Sequence, residues 1–444
     1  MEIIGTVANA IQRLFGEVAQ TAANKCKVIR RQRKFSATSL LQTFTMGFLT
    51  KADASDEDLA QVAGQLGVGV TTQAIEQRHT PQMATFLQEV FQHSARVAVG
   101  SMKLLAPILK RFTKVEIKDG STITLPASMQ EQFAGCGGSH DSGKAAMKLQ
   151  TGLELRSGAV TIELEQGRSP DAATPRQHER LGPGSLTIKD LGYFDLDVMQ
   201  EQDDHGEYFL SRLQFGTKVY VDGQDLGGNM DVLRWLAKQP GPFVEREVLL
   251  GKIKKLKVRL IAWRAPQEVA DRRRRRLRQD LLKKKGREPS DERLAWCDWT
   301  IVVTNIPVEL LTPEEAVVMY GARWQVELLF KRWKSLNLVA VLSGSTDTRQ
   351  MIRVWSRLIA SLVQHWLILA TVWGDPTKSL TKASQAIRKL TSLLISALKS
   401  FAAFQAAIET ISATLEKTCK RNRRKDAGTF ELLNDIGLLN LSLT

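Results

Sequence analysis

The chain has 444 residues, 43% of them hydrophobic and 25% charged, which excludes wholesale disorder and fits roughly two to four globular domains. Lysine and arginine number 62 against 47 acids, a formal charge of +15 with a pI near 9.7, so the expected partner is a polyanion: DNA, RNA or an anionic membrane. Cys26, Cys136, Cys297 and Cys419 stand apart with no paired spacing, which argues against a disulfide framework or zinc ribbon and for a reducing cytoplasm.

No basic-then-apolar leader with a small-residue cleavage site opens the sequence, so secretion is not expected. From Ile3 to about Ser94 the apolar spacing is helical, with Ser55-Asp56-Glu57-Asp58 supplying an N-cap and an acidic first turn. Residues 56–78 read as a helix, a turn at Gly67-Val68-Gly69, and a second helix from about Thr71. That pattern fits a helix-turn-helix whose second helix enters a groove, and it fits equally well two packed helices of any small bundle. Arg30, Arg31, Arg33 and Lys34 nearby lean toward DNA.

After about Lys114 the period changes to two. Residues 115–119 read as a strand ending at Asp119, 148–155 and 160–165 as a hairpin about Ser157-Gly158, 185–189 as a strand ending at Asp190, and 207–214 as another. Between them, residues 138–144 match most of a phosphate-binding loop. Ala145 stands where a Ser or Thr should meet magnesium, however, and the residues beyond alternate as a strand, so no nucleotide loop is expected. The six histidines show no short metal-ligand spacing.

Residues 215–266 are rich in strand patterns and lysine, including 248–263, and lead into the run Arg272 to Arg276 within a helix reaching Lys285. Such a run is usually a solvated face, but the overall charge makes phosphate contact a comparable reading. Residues 299–304 return to a strand, Thr312-Pro313-Glu314-Glu315 opens a long helix, and everything after about Met351 is helical. The most apolar run, 358–373, is short for a membrane span and contains Gln364 and His365, so it reads as a buried helix.

The helix expected over 314–338 carries the chemistry. At 100° per residue, Tyr320, Arg323, Glu327, Lys331 and Lys334 fall within an arc of about 80°, while Ala322, Val326, Leu329, Phe330 and Trp333 cover the opposite side. A carboxylate among a tyrosine, an arginine and two lysines suits a metal-assisted phosphodiester site: a hard oxygen ligand for magnesium beside cations that hold phosphate. Arg323 and Glu327 are also i, i+4 partners of the kind that decorate ordinary solvent faces. Asp119 and Asp190, each leaving a strand with a glycine nearby, fit the rest of a divided acidic triad; either alone would be an ordinary turn residue.

The spacing Tyr320, Arg323, Glu327, Lys334 resembles the Tyr-Arg-Glu-Lys signature of bacterial insertion-sequence transposases of the DDE type, the insertion sequence four, cut-and-paste branch. Asp119-Gly120-Ser121-Thr122 before Leu125-Pro126 is similar to that family's first-aspartate motif, and Asp190-Leu191-Gly192-Tyr193-Phe194 to its second. The motifs occur in the family's order and span residues 114–334.

The resemblance implies an α/β fold: an RNase H-like catalytic core, a mixed five-stranded sheet with helices, interrupted by a β-rich insertion and flanked by N-terminal and C-terminal helical regions. On that scheme residues 1–100 bind DNA ends, 101–215 and 299–350 form the core, 216–298 the insertion with its basic helix, and 351–444 a helical region that supports dimerisation. Asp119, Asp190 and Glu327 would hold two Mg²⁺ ions, replaceable by Mn²⁺, for hydrolysis and strand transfer on DNA. Tyr320, Arg323, Lys331, Lys334 and Arg212 would hold phosphates. Trp299 would stack on an extruded base, with an ordinary core tryptophan as the alternative. The expected partners are double-stranded DNA, both element ends and target, and a second copy in a synaptic homodimer, without membrane, at the bacterial nucleoid in the cytoplasm. A metal-dependent nuclease without strand transfer, and an inactive or domesticated DNA-binding derivative, are the competing readings.

Overall fold

The computed structural model describes residues 2–29, 34–101, 106–137, 143–422 and 427–439, so Arg30, Arg31, Arg33 and residues 138–142 of the rejected loop lie outside the described residues. The strands are β1 (Val115–Thr124), β2 (Ala146–Glu154), β3 (Val160–Gln166), β4 (Leu186–Lys189), β5 (Tyr208–Arg212), β6 (Val219–Val221), β7 (Gln224–Asp225), β8 (Phe243–Leu250), β9 (Leu256–Arg264) and β10 (Trp299–Thr304). The chain divides into two compact units. One comprises Met1–Leu105, Asp119–Ser169 and Gln325–Arg423, the other Ala106–Lys118, Pro170–Trp324 and Arg424–Thr444.

The first unit is mainly helical. Its helices start where the sequence supplies caps: Ser36, Ser55 and Thr80 accept from the backbone N–H groups of Ser39, Asp58 and Met83 at the starts of Ala37–Thr50, Asp56–Gln65 and Pro81–Ala95. The apolar run read as a buried helix lies in Asp347–Thr371, buried nearly all round from Met351 onward and packed on Ala37–Thr50 and Pro81–Ala95. The two polar residues noted in that run are bonded inside: Gln364 Nε2 donates to the Ser384 carbonyl at 3.0 Å and His365 Nε2–H to the Gly158 carbonyl at 2.8 Å. Among the described residues no helix is long and apolar enough to cross a membrane. The segment expected as a helix-turn-helix has its turn, but the second helix, Thr72–Glu76, is five residues long. A single turn is too short to run along a groove, which favours the packed-helix alternative.

β2 and β3 form the expected antiparallel hairpin, with Leu153 opposite Val160, and β2 lies between β3 and β1. Gly158 in the hairpin turn has φ +72°, and a Cβ there would stand 2.4 Å from the Trp373 ring and 2.5 Å from Leu369. Both the backbone and the space require glycine. Gly158→Ala is therefore expected to destabilise the protein by about 2–4 kcal/mol, read as a lower denaturant midpoint at unchanged slope; an unshifted midpoint would refute the close approach.

His365 sets a second expectation. Burial lowers its pKa to about 4, below the usual histidine range, so the folded state holds it neutral. The unfolded chain binds the proton first. Stability is thus fully present above about pH 6.5 and falls as pH drops from there through 4, by about 3 kcal/mol. His365→Gln should flatten the acid limb of unfolding free energy against pH; an unchanged limb would place the acid sensitivity elsewhere.

The second unit is built on a sheet whose order is β1-β4-β5-β10-β9-β8-β6-β7. β1, β4 and β5 are parallel, with Lys118 opposite Lys189 and Lys189 opposite Ser211, whereas β10 runs antiparallel to both β5 and β9. The five-stranded sheet expected from the sequence is therefore exceeded: β8 and β9, read as a separate insertion, continue the same sheet through β10. Without β9, β10 would be left with an unpaired edge. Val219, Val244, Val258, Leu260 and Ile301 pack into one core on this part of the sheet. The strand pattern over 248–263 is broken by a turn with positive φ at Gly251 (87°) and Lys255 (49°), and the helix Asn229–Ala237 lies where only strands were expected.

Candidate active site

The helix expected over 314–338 is two helices. Thr312 caps Pro313–Gly321 by accepting from the Glu315 N–H, and Glu315 returns the bond to the Thr312 N–H at 2.9 Å. The chain then turns through Ala322 and Arg323, with the Arg323 N–H donating to the Tyr320 carbonyl at 3.1 Å, before Trp324–Ser335 begins. Gly321, a poor helix former, stands at the break. The single arc from Tyr320 to Lys334 is corrected accordingly: Tyr320 ends one helix, Arg323 sits in the turn, and Glu327, Lys331 and Lys334 share a face of the next. The opposite side is core as expected, with Ala322, Val326, Leu329, Phe330 and Trp333 all buried.

Asp190, Arg212, Trp299, Tyr320 and Arg323 belong to the second unit. Asp190 directly follows β4, and its carboxylate lies 3.8 Å from Arg323 Nε with 43% of the side chain exposed. The Arg323 guanidinium is 5.9 Å from the centroid of the Tyr320 ring. Burial pushes the Tyr320 hydroxyl up to about 12, opposed by Arg323 and Arg212 and reinforced by Asp190, so it keeps its proton at neutral pH. Arg212 ends β5 opposite Val302. The structure thus brings one carboxylate, one neutral phenol and two arginines together.

Trp299 is only 7% exposed, and the Arg264 guanidinium stands 5.0 Å from its ring centroid. Stacking on a base requires Arg264 to leave that face. The sequence does not place three further residues beside the site, although Arg273 belongs to the run read as a possible phosphate contact. Arg273, in the helix Gln267–Lys285, donates to the Trp299 carbonyl at 3.3 Å and to Thr300 Oγ1 at 3.0 Å, and so ties the basic helix to β10. Arg264 is the second. Trp324, the third, is 52% exposed at the first turn of its helix, where an aromatic face is open to stacking. Spacing does not mark Arg264 and Arg273 beside Trp299, because they are distant from it in sequence, and Trp324, though next to Arg323, carries neither a charge nor a metal donor.

β1 does not end at Asp119 but runs on to Thr124, as the β-branched residues Thr122, Ile123 and Thr124 favour. Asp119, Glu327, Lys331 and Lys334 belong to the first unit. Asp119 Oδ1 accepts from the Gly120 N–H at 2.8 Å. Lys334 Nζ donates to the Thr122 carbonyl at 2.9 Å; burial lowers its pKa and the Asp119 charge partly restores it. Glu327 is half-buried and Lys331 exposed, one helical turn apart.

Behind the aspartates, the lysines that precede them are buried in the second unit. Lys118 donates to the Arg176 carbonyl at 2.7 Å and Lys189 to Gln202 Oε1 at 2.8 Å. Burial brings Lys189 down to about 7. Strand alternation sends the next side chain to the other face, so each aspartate leaves the sheet opposite a lysine committed to the interior.

Asp119, Asp190 and Glu327, the residues expected to hold metal, each carry oxygen donors of the kind a hard divalent cation takes, and none of the three is buried. Among the described residues no three His, Cys, Asp or Glu side chains stand close enough to close round one ion.

Residues 111–363 match the family model described as transposase DDE domain. The chain is 27% identical over 376 residues, 79% of its length, to the transposase for insertion sequence element IS231E of Bacillus thuringiensis subsp. finitimus, covering 76% of that protein. It is 27% identical over 368 residues to that for IS231B of Bacillus thuringiensis subsp. berliner, covering 77% of this chain and 75% of that one. To that for IS1151 of Clostridium perfringens it is 24% identical over 374 residues, covering 79% and 77%.

Proposed function

The chain belongs to the DDE-domain transposase family and is an insertion-sequence transposase, an enzyme acting on DNA with a divalent metal, and from that premise we propose that its core is RNase H-like and that Asp119, Asp190 and Glu327 are its acidic triad. The strand orders β3-β2-β1 in one unit and β1-β4-β5 in the other, with β1, β4 and β5 parallel, support the core assignment. One observation carries the triad: the second-motif carboxylate, Asp190, is ion-paired with Arg323 of the signature, although 133 positions separate them in the sequence.

Two Mg²⁺ ions, or Mn²⁺ in their place, supply when bound the activation of the attacking oxygen and the stabilisation of the leaving one. The chain's own residues position the DNA. Arg323, with Arg212 beside it, presents a fork to a non-bridging phosphate oxygen pair. Tyr320, protonated at neutral pH, offers an O–H to phosphate rather than a repelling anion. Lys331 and Lys334 supply further cations on the helix face of Glu327. Trp324 offers an open face to an unpaired base, and Trp299 does so once Arg264 has moved aside.

The substrates are the element's terminal inverted repeats and then target DNA. Residues 1–100 bind the ends, 216–298 extend the catalytic core, and 351–444 support a synaptic homodimer. A gel assay of purified protein with duplex carrying element ends tests the reading. Cleavage at the ends and joining to target in Mg²⁺ or Mn²⁺, with neither in Ca²⁺ or chelator, is the expected result. Cleavage without joining would indicate a nuclease, and end binding without cleavage in any metal an inactive derivative.

A further inference from the structure

The helix Gln267–Lys285 holds nine lysines and arginines against three acids, a large share of the chain's +15 in nineteen residues. Among its described residues only Ala270 is buried, so hydrophobic burial does little to hold it in place. The arginine run splits by helical period. Arg273 and Arg274 fall on the face of Ala270 and point inward: Arg273 binds the Trp299 carbonyl and Thr300, and Arg274 pairs with Asp298 and with Asp271, the latter at 2.6 Å. Arg272, Arg275 and Arg276 are exposed on the other side, and Arg278 is exposed on the flank beside Arg274. Among the described residues Arg276 pairs with Asp280 at 4.0 Å and Arg278 with Glu288 at 3.8 Å, exposed contacts worth little.

We propose that this outward face is a rail for the phosphate backbone of the duplex leading to the scissile site, contacted without regard to base sequence. The inference rests on the chain acting on DNA. Charge complementarity carries it: cations crowded on one helix repel each other in water, and a phosphate array relieves that repulsion while releasing counterions. Its location supports it, because Arg273 fastens the helix to β10 and lies within electrostatic reach of Arg212 and Tyr320 in the same unit.

The full chain carrying R272A, R275A, R276A and R278A together is compared with wild type on two duplexes of equal length, one with an element end and one random, across about 0.05–0.2 M salt. The variant is expected to lose at least about tenfold affinity for both duplexes, by a similar factor, and its log-affinity against log-salt slope should be shallower by about 2 to 4. The four Arg→Lys replacements should retain the wild-type slope, which separates lost charge from lost folding. Unchanged affinity and slope on both duplexes would make the face merely solvated, and loss confined to the element end would make it a base reader; either overturns the proposal. If wild type binds neither duplex, the DNA reading itself fails.

Discussion

Glu327→Gln is expected to lower Mg²⁺-dependent cleavage at element ends by about 10³-fold or more while leaving end affinity nearly unchanged. Gln matches Glu in shape, and position 327 is half-buried on a helix anchored by Val326, Leu329, Phe330 and Trp333, so the fold survives the exchange. What disappears is one negative charge and one hard oxygen donor, both needed only when metal and substrate are present. Single-turnover cleavage beside equilibrium end binding separates the two quantities. Wild-type cleavage by the variant, or binding lost along with cleavage, would remove Glu327 from the triad.

Arg323→Ala is expected to cost about 10²- to 10³-fold in the chemical step, the scale of removing one preorganised donor from a developing oxyanion. Arg323 is also a counter-charge of Asp190 at 3.8 Å. Its removal therefore leaves that carboxylate more available to a cation, so the metal concentration for half-maximal cleavage should fall or stay level as the maximal rate drops. A purely structural role would raise the metal requirement and lower the rate together. Arg323→Lys keeps the charge but not the planar fork, and should recover only part of the loss. Full recovery would show that charge alone is used at this position.

Much of the candidate site is legible as motif spacing, which survives local misreading of the elements. Tyr320, Arg323, Glu327 and Lys334 were singled out on a helix that turned out to be two, with Arg323 in the turn between them. Asp119 was marked as a strand end, yet β1 passes through it. The reading of secondary structure is firmest in compact strand-forming runs: β10 at Trp299–Thr304, β-branched after its first residue and buried throughout, and the β2–β3 hairpin closely match the expected segments. It was weakest where charge masks the pattern, as in residues 215–266, where the helix Asn229–Ala237 and the turn at Gly251 went unread.

By itself the sequence determined the class of protein and marked the residues proposed for its chemistry, because a basic composition, three ordered acidic motifs and a four-residue signature are properties of the chain alone. Tertiary structure alone decided the environments of those residues. Asp190 meets Arg323, Arg264 covers Trp299 and Arg273 ties the basic helix to β10 through contacts between segments distant in sequence, while Trp324 is left exposed. The physical reason is that periodicity reports which side of an element is buried, whereas burial against a particular partner depends on strand order and register. One residue of register reverses every side chain on a strand, and no local pattern specifies which strand lies alongside.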